Sequence, residues 1–383
     1  MAAGRAAAEL ATGDIAQARD DVQAALRSAQ DLELGLLEVE CLCLLGAVEW
    51  AEGDYRAAAA AGSAGVAAAA RTGWERSTWA IGACAVEAHA ALMRARPVQA
   101  LHAADQGLNA ARPGLDPMVR FALRAARGGA LCDTGEPRAA LLELQQARAE
   151  LGGAELPDQL AVSEALLEHR SALLSGHPTA AAAALCWLAD RGVGLAEQEL
   201  MRAWTELAAE EYRAARTFVA PLLAGDGRPA LASTEVEAAV LEATAALRDG
   251  DRSAARHALR IALTRAEALD AVRPFALAGR DVHALMIDQL GDVENPGDFA
   301  HRALTDGRRW QPAPAAHLSA RELDVLRRLP SLRNLDEIAG DLTVSVNTVK
   351  SHLRAIYRKL GVSSRRTAVL AASEHGLLTH DRD

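Results

Sequence analysis

A turn-and-alanine rhythm of about forty residues constrains this chain more than any other feature of its sequence. Turn signals recur at Gly13-Asp14, Gly53-Asp54, Gly135-Glu136, Gly176-His177, Gly250-Asp251 and Gly291-Asp292. An alanine stands five residues beyond the glycine in the first five cases, at Ala18, Ala58, Ala140, Ala181 and Ala255. Ala100 and Ala215 fill the two places where the glycine is absent, so successive alanines lie 40, 42, 40, 41, 34 and 40 residues apart. A small side chain at a fixed distance after a turn is what two antiparallel helices need where their backbones cross closely. Between turns the apolar residues keep helical spacing, as in Val236, Val240, Leu241, Thr244 and Leu247. The expectation is therefore about seven helix hairpins, none able to bury its apolar face alone, stacked into a superhelix with a concave inner surface. The register fails after Gly291, where Pro296 takes the alanine's place.

Composition agrees with an all-α chain, since half of the residues are hydrophobic, many of them alanine, and only 3% are aromatic. The repeat region resembles the tetratricopeptide-like solenoid of the MalT-like regulators, whose units also exceed the usual length of roughly thirty-four residues. The expected organisation is a solenoid over residues 1–309, a proline-bearing linker over 310–317 and a second domain over 318–383.

Charge separates the two ends. The chain as a whole is at −10, yet residues 317–383 carry 11 Lys or Arg against 8 Asp or Glu. No carboxylate side chain occurs between Asp341 and Glu374, a stretch holding Lys350, Arg354, Arg358, Lys359, Arg365 and Arg366. A local excess of this kind is the electrostatic footprint that a phosphate backbone needs.

The same stretch has the signals of a helix-turn-helix. Ser319 and Glu322 have capping-box spacing, Leu323, Leu326 and Leu329 give the first helix an inner stripe, and Pro330 closes it. A second short helix spans 335–342 with Ile338 and Leu342 inward, and Ser345 is placed to cap a third helix over 346–360. On that third helix Val349, Leu353, Ile356 and Leu360 form one apolar stripe. Asn347, Ser351, Arg354 and Arg358 lie opposite, flanked by Lys350 on one side and Thr348 and Lys359 on the other. A final helix over about 364–375 has Val369 and Ala372 for packing.

The run Leu-Thr-Val-Ser-Val-Asn-Thr-Val-Lys-Ser-His-Leu-Arg-Ala-Ile-Tyr-Arg-Lys-Leu-Gly-Val-Ser-Ser-Arg (342–365) resembles the LuxR (GerE-like) family, nearest its MalT-like, large ATP-binding branch. The resemblance implies double-stranded DNA as partner, with Lys350, Ser351 and Arg354 entering the groove. Beside them the helical wheel adds Asn347 for base edges and Thr348, Arg358 and Lys359 for phosphates, and Arg365, in the basic stretch beyond that helix, is also expected to meet phosphate. It also implies a homodimer on DNA through the last helix. The family's Gly-x-Ser-Asn before the second helix is replaced here by Leu332-Arg333-Asn334-Leu335. His352 borders the apolar stripe and suits either a core edge or a phosphate contact.

Other chemistries find little support. The only two lysines are Lys350 and Lys359, and neither follows the glycines of a phosphate loop, so the chain resembles the carboxy-terminal portion of a large regulator without its ATPase module. No hydrolase or metalloprotease motif is found, and neither catalysis, a cofactor nor a metal is expected. Cys41, Cys43, Cys84, Cys132 and Cys186 read as reduced core thiols. No secretory signal opens the chain, and the uncharged run 171–189 is broken by Gly176, His177 and Pro178, so a cytoplasmic protein without membrane spans is expected. Trp74 and Trp79, and Trp187 and Trp204, are candidates to line a ligand groove, but large residues in an alanine-rich solenoid more often serve as core wedges. The expected function is transcriptional regulation, with the solenoid gating DNA binding in response to an effector or partner. The alternative is a protein-interaction scaffold tethered to DNA.

Overall fold

The computed structural model describes residues 15–291, 298–309, 319–330, 333–342, 344–360, 364–365, 368–369 and 372. Two compact units emerge, Met1–Trp310 and Gln311–Asp383. Every regular element among the described residues is helical.

In the first unit, α1 (Ile15–Asp31) is followed by six helix hairpins. These are α2 (Gly35–Glu52) with α3 (Tyr55–Thr72), α4 (Thr78–Met93) with α5 (Pro97–Ala110), and α6 (Pro117–Asp133) with α7 (Pro137–Leu151). They continue with α8 (Asp158–Leu174) and α9 (Pro178–Asp190), α10 (Leu195–Ala208) and α11 (Tyr212–Ala224), and α12 (Thr234–Arg248) and α13 (Arg252–Leu269). The uncharged run after Ser171 is the end of α8, a turn and α9. Short α14 (Arg273–Ala276), α15 (Arg280–Gly291) and α16 (Asp298–Arg309) complete the unit. Pro296 lies outside the described residues. None of the described helices is long and apolar enough to cross a membrane.

The rhythm has a uniform cause. Within each hairpin the chain turns through one residue in the left-handed region, at Gly53, Ala95, Gly135, Gly176, Glu210 and Gly250. The next residue's N–H reaches back to the carbonyl five positions earlier, at 2.8–2.9 Å in all six turns, and the second helix begins immediately after it. This is a Schellman-type ending that satisfies carbonyls the first helix would leave unpaired. The rhythmic alanines are the fourth residues of α1, α3, α5, α7, α9, α11 and α13, and each is at most 1% exposed. Where the turn glycine is missing, Ala95 and Glu210 take the same conformation at φ 57° and 66°. Glu210 is exposed, so its side chain recovers little for that strain. Glu210→Gly should therefore stabilise the unit by about 0.5–1 kcal/mol, since the left-handed conformation costs an L-residue about 1–2 kcal/mol and the glycine's freer unfolded chain returns part of the gain. A thermal melt checks this, and an unchanged or lowered midpoint contradicts it.

The inner surface, expected to be open and concave, is occupied by the chain itself. Glu197 on α10 is fully buried, and its Oε1 accepts hydrogen bonds from Ala230 N (2.8 Å), Leu231 N (3.1 Å) and Thr234 Oγ1 (2.6 Å), holding the long α11–α12 connection inward. Leu231 and Trp50 pack into the same apolar cluster as Met201 and Leu188. Tyr55, 2% exposed, packs into the same apolar cluster as Val236 and Val240 of α12, and a Cβ on Gly53 would come within 2.5 Å of the Ala232 side chain. The guanidinium of Arg273 on α14 makes two bonds to Asp133 at the end of α6, at 2.6 and 2.9 Å, and both side chains are nearly fully buried. Asp270 draws in Arg56 and Arg94 from the first two hairpins. The array thus curls until its first hairpins meet its last helices.

Cys41, Cys43, Cys84 and Cys132 are buried, and burial pushes their thiols up, Cys43 and Cys84 to about 12, but Cys186 on α9 is exposed and is not a core thiol. Trp79 packs in the core between α1, α2 and α3. Trp187 lies against Arg148 and Arg191, and Trp204 lies beneath Arg170 at 4.1 Å. Trp74, at 44% exposure, is not a core wedge.

Candidate nucleic-acid interface

The second unit contains α17 (Ala320–Arg328), α18 (Leu335–Leu342) and α19 (Val346–Leu360), followed by helical residues at 365, 368–369 and 372. A side chain caps the start of each helix. Ser319 and Glu322 form the expected capping box, with Ser319 N donating to Glu322 Oε2 at 2.6 Å and Glu322 N to Ser319 Oγ at 3.3 Å. Asn334 and Glu337 form a second box on α18, each backbone N–H donating to the other's side chain at 2.8 and 2.9 Å. Its signal, Asn-x-x-Glu, lies in the loop where the sequence departs from the family and was not singled out. Ser345 caps α19 as expected, accepting from Thr348 N at 3.1 Å, and its hydroxyl also bonds the Thr348 hydroxyl.

One apolar core holds these helices. Val325, Leu326 and Leu329 from α17 and its end, Ile338 from α18, and Val349, Leu353 and Ile356 from α19 are all buried, with Ala368 and Ala372 in the same core. Leu323, expected in the inner stripe, is half-buried, while Val325 fills the core. The Leu360 side chain lies outside the described residues.

Burying that stripe fixes what α19 shows to water. Successive residues turn about 100°, so Lys350, Ser351 and Arg354 fall within one arc away from Val349, Leu353 and Ile356. All three are exposed. Thr348 is half-buried at the cap, and His352 is half-buried at the border of the stripe. The side chains of Asn347, Arg358 and Lys359 lie outside the described residues. The arc presents two cations and a hydroxyl, with no carboxylate on the same helix, and so offers donors to base edges and phosphates.

Arg365 has a different setting. Its Nε donates to the carbonyl of Leu329 at 3.0 Å and its Nη1 to that of Arg333 at 2.8 Å, so the guanidinium ties the last helical segment to the loop before α18. Tyr357 is near: burial pushes its hydroxyl up, and Arg365 pulls it the other way. Arg365→Ala should therefore lower the melting point of this unit and weaken binding to any duplex by similar factors. It should leave the salt dependence of binding unchanged, whereas loss of a direct phosphate contact would reduce the salt slope by about one unit. Titrations at several salt concentrations distinguish the two.

Residues 316–372 match the family described as bacterial regulatory proteins, luxR family. The second unit carries a LuxR-family domain. Similar relatives include a probable transcriptional regulatory protein NarL of Mycobacterium tuberculosis, 45% identical over 71 residues that make up 18% of this chain and 33% of that protein. The transcriptional regulatory protein YdfI of Bacillus subtilis is 45% identical over 64 residues, 17% of this chain and 30% of the relative. The HTH-type transcriptional regulator MalT of Serratia proteamaculans is 36% identical over 77 residues, 20% of this chain and 8% of the relative. The chain thus spans a third or less of the length of these relatives.

Proposed function

We propose that this chain is a sequence-specific DNA-binding transcriptional regulator of the cytoplasm, a binding protein and not an enzyme. Residues 318–383 serve as DNA-binding domain, 310–317 as linker and 1–309 as the array that gates DNA binding in response to an effector or partner. The observation that carries the reading is the exposed Lys350, Ser351 and Arg354 face of α19, set opposite a buried stripe in a LuxR-family domain. Lys350, Ser351, Arg354 and Asn347 reach base edges, while Thr348, Arg358 and Lys359 reach phosphates; Arg365 acts by holding the loop before α18. Two copies bind together through the last helix, each reading one half-site. Because the α11–α12 connection lies along the inner side of the array, an effector is met at its seams or outer faces. One such place is a groove of about 540 Å³ between α11, α12 and α13, bordered by Arg216, Leu223, Glu242, His257 and Ile261.

Selection of duplexes from a random library with the full chain tests the reading. A recovered motif with two half-sites about one helical turn apart is expected. No enrichment over the input library would contradict it.

A further inference from the structure

Asp270, at the end of α13 and 3% exposed, gathers three guanidinium groups onto one carboxylate. Arg94 Nε donates to Oδ2 at 2.6 Å, while Arg302 and Arg56 both donate to Oδ1, at 2.7 and 3.3 Å. Arg56 opens α3, Arg94 follows α4 and Arg302 is on α16, so the cluster sits where the first two hairpins meet the last helix of the unit. Among the described residues none of the three arginines makes a second ion pair. Three cations share one anion, which leaves two positive charges in excess. Residues 1–316 around them carry 43 Asp or Glu against 30 Lys or Arg, so carboxylates were plentiful and the excess stands out.

Each added guanidinium is attracted by the one carboxylate but repelled by the cations already on it, so the third gains less from Asp270 than the first two. Asp270 by itself therefore holds two arginines well and a third at little gain. Arg56, the longest contact, is 65% exposed at its side chain and Arg302 is 30% exposed, so the uncompensated side of the cluster faces water. Each of these three bonds uses one nitrogen of a guanidinium that carries five N–H donors, leaving further N–H groups to take a second oxyanion.

We propose that Arg56, Arg94 and Arg302 form a binding site for a small oxyanion carrying two negative charges, of phosphate or dicarboxylate chemistry, at the seam of the array. The bound dianion supplies the charge that Asp270 cannot and ties α3, α4 and α16 together. The site deepens the gating reading and rests on it for its role, because α16 is the last helix before residue 310 and the chain beyond it enters the LuxR-family domain.

Titration calorimetry of the full chain without DNA, using inorganic phosphate alone and succinate alone with chloride as control, tests the site. Saturable heat with phosphate or succinate is expected, with affinity reduced about tenfold or more in Arg302→Gln and in Arg56→Gln. Arg56 is exposed enough that its variant should fold as the parent does. Asp270→Asn, where it folds, should bind the same ion more tightly, since it removes the competing carboxylate. No saturable heat, or equal heat in parent and both arginine variants, would overturn the site. Parallel DNA titrations with and without phosphate address the gating reading separately: a dianion that binds yet leaves DNA affinity unchanged upholds the site and contradicts its gating role.

Discussion

Asp133→Ala should destabilise the first unit by about 3–5 kcal/mol. Its partner Arg273 is only 6% exposed and is held by two hydrogen bonds to Asp133, so the substitution strands a buried guanidinium without its carboxylate. Glu237 lies close enough to affect Arg273, but its own carboxyl is pushed up by burial, so it compensates poorly. The pair joins α6 to α14, and its loss should loosen the closure of the array as well as the local contact. Asp281→Ala gives the comparison: the Arg248–Asp281 pair is about half exposed on both sides, and its loss should change stability by less than about 0.5 kcal/mol. Denaturant unfolding followed by circular dichroism compares the two variants. Similar small losses in both would mean that the inner seam is not structural.

Arg354→Ala should lose about 1–3 kcal/mol on the preferred duplex and much less on scrambled DNA, a selective loss of up to roughly a hundredfold. Arg354 is exposed in the middle of α19, where base edges are within reach, and it belongs to no part of the buried stripe, so the variant should fold. Lys359→Ala, nearer the end of the helix, should weaken both duplexes by similar factors and flatten the salt slope by about one unit. Paired titrations of each variant at two salt concentrations measure both effects. Equal losses on the two duplexes for Arg354→Ala would move base reading to Lys350, Ser351 or Asn347.

Both effects depend on features that were unequally legible in the sequence. The hairpin array was readable because its determinant is local: a left-handed turn followed at fixed distance by an alanine that must be small. The rhythm survived even at Ala95 and Glu210, where the glycine is gone but the alanine at the crossing remains. The closure was not readable, because Asp133 and Arg273 lie 140 residues apart and Arg56 and Asp270 lie 214 apart. Before folding, such residues resemble the solvated charges of any amphipathic helix. Glu197 is a similar case, a buried carboxylate whose partners, two backbone N–H groups and the Thr234 hydroxyl, lie more than thirty residues away. In the LuxR-family domain the period of Val349, Leu353 and Ile356 identified the buried side of α19 and, by elimination, the exposed arc. For Arg365 the sequence gives a charge but not what the charge faces, and the carbonyls of Leu329 and Arg333 become visible only once the last segment is packed. Asn334 shows the reverse, a local capping signal that was present and passed over.

Salt titration of the full chain on its selected duplex tests the central claim, DNA binding by the exposed arc of α19, most directly. Neutralising several phosphates with Lys and Arg releases counterions, so the logarithm of the affinity should fall linearly with the logarithm of salt concentration, with a slope of about −0.9 for each phosphate contacted. A steep negative slope, together with weaker residual binding of scrambled duplex, is the predicted result. No binding at low salt, or binding that does not change with salt, would contradict the account.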